Sequence, residues 1–123
     1  LFMCHLSGAL GIEWTVEYSK HPCAVKGSTV FMNGTYTHPT YVTVTNRFWV
    51  IDPVAGVEPT DLRNEPGYSG RVEYLGDKQS HFSLRLSDVK KSDEHDYCIK
   101  VKGNKNYLFY PGIILSVTGN VQH

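Results

Sequence analysis

Leu86-Ser87-Asp88-Val89-Lys90-Lys91-Ser92-Asp93-Glu94-His95-Asp96-Tyr97-Cys98-Ile99-Lys100-Val101 joins the end of one alternating pattern to the start of another. Ahead of it, Leu84 and Leu86 alternate with polar neighbours, and beyond the polar corner Tyr97, Ile99 and Val101 alternate again. A period of two sends successive side chains to opposite faces, so each flank is predicted to be a half-buried strand. Within the corner, Asp93-x-x-x-Tyr97 has the spacing at which a phenol at the start of a strand ties the chain back onto itself.

Outward from the corner the same period recurs. Glu13-Trp14-Thr15-Val16-Glu17-Tyr18 places Trp14, Val16 and Tyr18 on one face, and about residues 27–36 bring Val30, Met32, Gly34 and Tyr36 into phase. Thr37-His38-Pro39-Thr40 reads as a turn before a strand that runs through Val44 to Ile51. Residues 52–70 carry Pro53, Gly56, Pro59, Pro66 and Gly67, which predicts loops and short edge strands. A strand at 71–75 follows, with a turn at Gly76-Asp77-Lys78. Lys102-Gly103-Asn104-Lys105-Asn106 turns into the closing strand, which ends at Thr118.

At 123 residues the chain suits one domain, and its eight Tyr and two Trp favour strands over helices. Twelve basic residues balance twelve acidic ones, so no overall field recruits nucleic acid. No run of about eighteen apolar residues could span a bilayer. Residues 1–11, with Cys4, read as the tail of a secretory signal peptide or as an N-terminal extension. The domain then occupies 12–119, and 120–123 begin a linker. The histidines are scattered, without the spacing of a metal motif, and no phosphate loop or nucleophile elbow is present. Asp93, Glu94, His95 and Asp96 bring acid and base together, but in a turn that the fold itself explains. The sequence points to no enzyme, no cofactor and no metal.

Three stretches carry a resemblance: Asp93-x-x-x-Tyr97; Trp14-x-Val16-x-Tyr18 followed by Cys23-Ala24-Val25-Lys26-Gly27-Ser28-Thr29-Val30; and Tyr74-Leu75-Gly76-Asp77-Lys78-Gln79. With them the chain, over about residues 12–119, resembles an immunoglobulin variable-type domain. Within that class it is similar to the first domain of siglec and sialoadhesin-like receptors of fish. The resemblance implies an all-β, immunoglobulin-like variable-type sandwich, with two antiparallel sheets in Greek-key order. Trp49 falls where such a sandwich buries its tryptophan, Tyr97 at its tyrosine corner, and Arg71 and Asp93 at the ion pair that closes its base. The family's half-cystines map onto Gly34 and Phe82, and Ile99 stands where ordinary variable domains place theirs. Losing such a bond typically costs about 2–5 kcal/mol. A large side chain opposite a glycine conserves volume, so hydrophobic packing is expected to hold the sheets.

The resemblance also implies a ligand site. Siglecs grip the sialic acid carboxylate with an arginine at the position of Lys100, between aromatics at Trp14 and Tyr107. Lysine keeps the charge but loses the planar two-pronged fork. Two readings stand for each: Trp14 stacks on a sugar or packs on the sheet, and Lys100 meets a ligand or is a solvated strand lysine. With Ile99 inward, Cys98, Lys100 and Lys102 are expected to face outward. Cys23 is expected to bond a following domain, Cys98 to join two copies face to face, or the two to bond each other. Asn33-Gly34-Thr35 is an N-glycosylation sequon, with Asn33 facing out if Gly34 faces in. The expected function is extracellular: a recognition domain of a membrane-anchored or secreted receptor. Its ligand is a sialylated glycan or, alternatively, a protein or a second copy of the domain.

Overall fold

The computed structural model describes residues 13–76 and 80–119. Residues 1–11 with Cys4, the turn residues Asp77, Lys78 and Gln79, and the 120–123 linker lie outside the described residues. The strands are β1 (Thr15–Tyr18), β2 (Cys23–Val25), β3 (Val30–Thr37), β4 (Val44–Ile51), β5 (Val72–Leu75), β6 (His81–Leu86), β7 (Asp96–Gly103), β8 (Tyr107–Ile114) and β9 (Ser116–Thr118). The back sheet runs β1-β3-β6-β5 and the front sheet β4-β7-β8, while β2 pairs in parallel with β9. All other pairs are antiparallel.

The alternation in the sequence is what separates inside from outside. Along β3, Val30, Met32, Gly34 and Tyr36 are buried, and Phe31, Asn33, Thr35 and Thr37 are exposed. β6 supplies Phe82, Leu84 and Leu86 to the same core, and β7 supplies Tyr97, Ile99 and Val101 from the opposite sheet. Trp49 is fully buried between them.

The edge strands expected within residues 52–70 do not form. Among the described residues this segment contains only a short 3-10 helix, Leu62–Asn64, so β4 is an outer strand of the front sheet. Pro53, Pro59 and Pro66 lack the N–H that a sheet ladder needs. Side chains meet the open backbone instead. The Trp49 N–H donates to the Tyr74 hydroxyl at 3.1 Å, and that hydroxyl donates to Asp61 Oδ1 at 2.5 Å. The Arg47 N–H donates to Asn46 Oδ1 at 2.9 Å.

Where the resemblance expects a disulfide, Gly34 lies directly across from Phe82 in the β3–β6 ladder. A Cβ on Gly34 would come within 2.5 Å of Ile99 Cδ1 and 3.3 Å of the Tyr18 ring. The missing side chain is therefore what admits both neighbours. Tyr18 reaches from the back sheet into the front one. Its hydroxyl donates to Phe109 O at 2.6 Å and accepts from the Ile99 N–H at 2.9 Å. Burial first, and the nearby Asp96 carboxylate after it, push this phenol well above its ordinary pKa, while the Ile99 bond opposes them.

The Asp93–Tyr97 corner closes the base of the sandwich. Tyr97 donates its hydroxyl to Asp93 O at 2.5 Å. Arg71 grips Asp93 with two bonds of 2.9 Å and also reaches Gly67 O, Ser87 O and Asp88 O. Asp93 is only 1% exposed. Desolvation opposes its ionisation, but the Arg71 fork and the Lys90 N–H outweigh that and hold it below the usual carboxylate range.

Candidate functional site

Strand alternation sorts the three residues of the expected sugar site onto two faces. Ile99 pairs with Phe109, Lys100 with Leu108 and Val101 with Tyr107. Tyr107 thus shares the inward side with Val101 and Phe109, and it packs edge-on to Phe109 at 5.0 Å. Trp14 stacks on Tyr107, with ring centroids 4.6 Å apart and planes 6° from parallel. Both rings cover one end of the core, next to His38 and Phe109. Lys100 belongs to the outer face, with Phe48 and Leu108 as its cross-strand neighbours. The structure brings Trp14 and Tyr107 together and leaves Lys100 on the other side of the sheet.

That outer face is apolar where the sequence suggests charge. Phe48, Val50 and Cys98 form a second buried cluster, with Leu108 packed against it. Over it folds the chain that follows β4. Asp52 turns the backbone with φ of 45°, and its carboxylate accepts the Asp96 N–H at 2.9 Å and meets His95 Nδ1 at 2.5 Å. A tight turn follows, with the Val57 N–H donating to Val54 O at 3.1 Å. Glu58 then reaches Lys102 at 2.8 Å, and that ammonium holds the Glu58 carboxyl below its ordinary range. Between this loop and β8 lies a groove of about 270 Å³ lined by Pro53, Val54, Ala55, Leu108 and Tyr110. Val54 and Tyr110, each 62% exposed, form its rims, and Val57 stands beside it at 61%.

Burial corrects the reading of Cys98. Its side chain does sit on the outward side, but it has no exposed surface. Gly112 approaches so closely that a Cβ there would lie 2.8 Å from the sulfur. Burial, then the neighbouring Asp96, push the thiol well above its usual pKa. Cys98 and Cys23 are both free thiols. A bond between the two is absent, and a face-to-face dimer linked through Cys98 has no sulfur at the surface to use. Cys23, by contrast, is exposed on β2.

The cluster Asp93, Glu94, His95 and Asp96 is committed to the fold. Asp93 pairs with Arg71, Glu94 with Lys91 and the Val117 N–H, His95 with Asp52, and Asp96 with the Gly112 N–H. Among the described residues, no group of three or more His, Cys, Asp or Glu side chains could hold a metal ion. No helix among them is long and apolar enough to cross a membrane.

Two packed antiparallel sheets, the tyrosine corner, the ion pair beneath it and the β2–β9 pair define an immunoglobulin-like sandwich of variable type. Solved structures agree. The chain is similar to murine CRIg, with a TM-score of 0.63 at 15% identity, over 86% of this chain and 98% of that one. It is equally similar to a chain from the structural basis of T cell specificity and activation by the bacterial superantigen toxic shock syndrome toxin-1. There the TM-score is 0.64 at 13% identity, over 86% of this chain and 100% of that one. At such identities the likeness is one of fold. No family model and no curated protein matches the chain.

Proposed function

We propose that this domain is a non-enzymatic recognition module of an extracellular receptor, and that its front sheet binds a partner protein. The observation that carries this reading is the apolar groove between residues 53–55 and β8. Its volume, about 270 Å³, suits one large side chain. Exposed Tyr110 and Val54 at its rim have the character of interface anchors, since an aromatic set in a partly formed pocket is the common source of binding energy. Lys100 lies alongside and forms no ion pair among the described residues, which favours an acidic group beside the apolar anchor of the partner. A sialic acid site of the siglec kind is less well supported, because Lys100 and the Trp14–Tyr107 stack lie on opposite faces.

The test is binding of a tetramerised domain to cells treated beforehand with sialidase or with protease. Binding that survives sialidase, is removed by protease and falls at least tenfold in Tyr110→Ser supports the protein reading. Binding abolished by sialidase and by Lys100→Ala, yet unchanged in Tyr110→Ser, overturns it in favour of the glycan.

A further inference from the structure

The outer face of the back sheet carries an aromatic side chain that the fold does not use. Phe31, Asn33 and Thr35 project together from β3, because the strand alternates without a break. Phe31 is 53% exposed and lies outside the core clusters. Its cross-strand neighbour is Arg85, which is held by Glu73. Asn33 stands beside it across from Ser83, a small residue that leaves its side-chain amide uncrowded. Among the described residues the bonds of Asn33 are made by its backbone, with Ser19. Thr35 completes the Asn-Gly-Thr tripeptide, exposed on the same face, with its hydroxyl 3.4 Å from His81 Nδ1.

We infer that Asn33 is an N-glycosylation site and that Phe31 is the platform on which the first sugar of that glycan lies. In the transfer, the Asn33 side-chain nitrogen attacks C1 of the first N-acetylhexosamine of a polyprenyl-diphosphate-linked oligosaccharide. The new C1–N bond forms as the C1–O bond to the diphosphate breaks. The diphosphate leaves with the electron pair, and the amide gives up one proton to a base of the transferase. Residues two apart on a strand are about 7 Å apart, so a pyranose ring attached at Asn33 reaches the exposed face of Phe31. The apolar underside of the sugar then covers the ring, as apolar surface withdrawn from water favours. The glycan occupies the back sheet and leaves the front sheet open to a partner.

The inference rests on the extracellular reading only for its occurrence in nature. The experiment therefore places the full 123-residue chain behind a heterologous secretion leader in a eukaryotic host. The expected product carries one amidase-sensitive glycan, lost in both Asn33→Gln and Thr35→Ala. Phe31→Ser is expected to lower the melting temperature of the glycosylated chain by about 3 °C or more. The same change in the Asn33→Gln background is expected to shift it by less than about 1 °C. An unmodified secreted chain overturns the site, and an equal loss in both backgrounds overturns the platform. Neither result bears on binding by the front sheet, which the Tyr110 and Lys100 variants test separately.

Discussion

Tyr97 and Tyr18 both direct a hydroxyl to a backbone carbonyl, but across very different lengths of chain. Tyr97 bonds Asp93, four residues earlier, whereas Tyr18 bonds Phe109, 91 residues later and in the other sheet. The first contact is built into a corner and backed by a buried ion pair. The second passes beside Gly34, whose missing side chain leaves room for the Tyr18 ring and Ile99. One tie is local and polar throughout; the other joins two sheets across most of the chain, beside a glycine that leaves it room.

Breaking the polar tie is expected to have the larger effect. Arg71→Ala leaves the Asp93 charge buried without its partner, for a loss of about 3–5 kcal/mol in denaturant unfolding. The pH dependence carries the same signature. The folded-state pKa of Asp93 is depressed, so its contribution is fully present above the unfolded value near 3.9 and is lost as pH falls through the lower folded value. Acid unfolding of the parent domain is therefore expected below about pH 4. In Arg71→Ala burial dominates and protonation of Asp93 relieves the unpaired charge, so the stability gap between parent and variant is expected to shrink as pH falls. A gap of the same size at about pH 7 and about pH 3 means the pair does not set the acid sensitivity.

At the second tie, Tyr18→Phe removes the bridge between Ile99 N–H and Phe109 C=O and is expected to cost about 1–3 kcal/mol. A cost near zero means the two strands close on each other once the phenol is gone. The smallest effect sharpens the role of the empty position. Gly34→Ala pushes a methyl group against Ile99 Cδ1 and is expected to cost about 1–2 kcal/mol, part of it recovered in Gly34→Ala with Ile99→Val. Failure of the second change to help moves the strain from Ile99 to Tyr18.

The same contrast explains what could be read in advance. The β3 alternation and the Asp93–Tyr97 corner follow from period two and from a short chain separation, and each is legible in the sequence; the Gly34–Phe82 pairing is expected only from the family resemblance. The position of Tyr107 is not, because Tyr107-Leu108-Phe109-Tyr110 is apolar throughout and offers no alternation to say which residues face in. The region beyond adds to the difficulty. Four steps along β8 from Phe109 to Ile113 face only two along β7, from Ile99 to Tyr97. For Cys98, alternation gives the side of the strand but not the burial. The burial comes from neighbours on other strands: Phe48 and Val50 on β4 and Gly112 on β8 close around the sulfur. The groove is illegible for the same reason: Val54 and Tyr110 meet only after the chain has folded.

The open flank of β4 has a consequence for how copies of this protein behave in a crowd. A strand at the margin of a sheet is a template on which another chain can add, and unguarded margins lead to polymers. Here the margin is already occupied by its own side chains, with Tyr74 on the Trp49 N–H and Asn46 on that of Arg47. Arg47 also turns its charge inward over the Phe82 ring, at 4.3 Å, so that an added strand would have to stack against a cation. Packed side by side at high local density, such domains meet a β4 margin whose Arg47 and Trp49 N–H groups are already taken, which disfavours zipping along that strand.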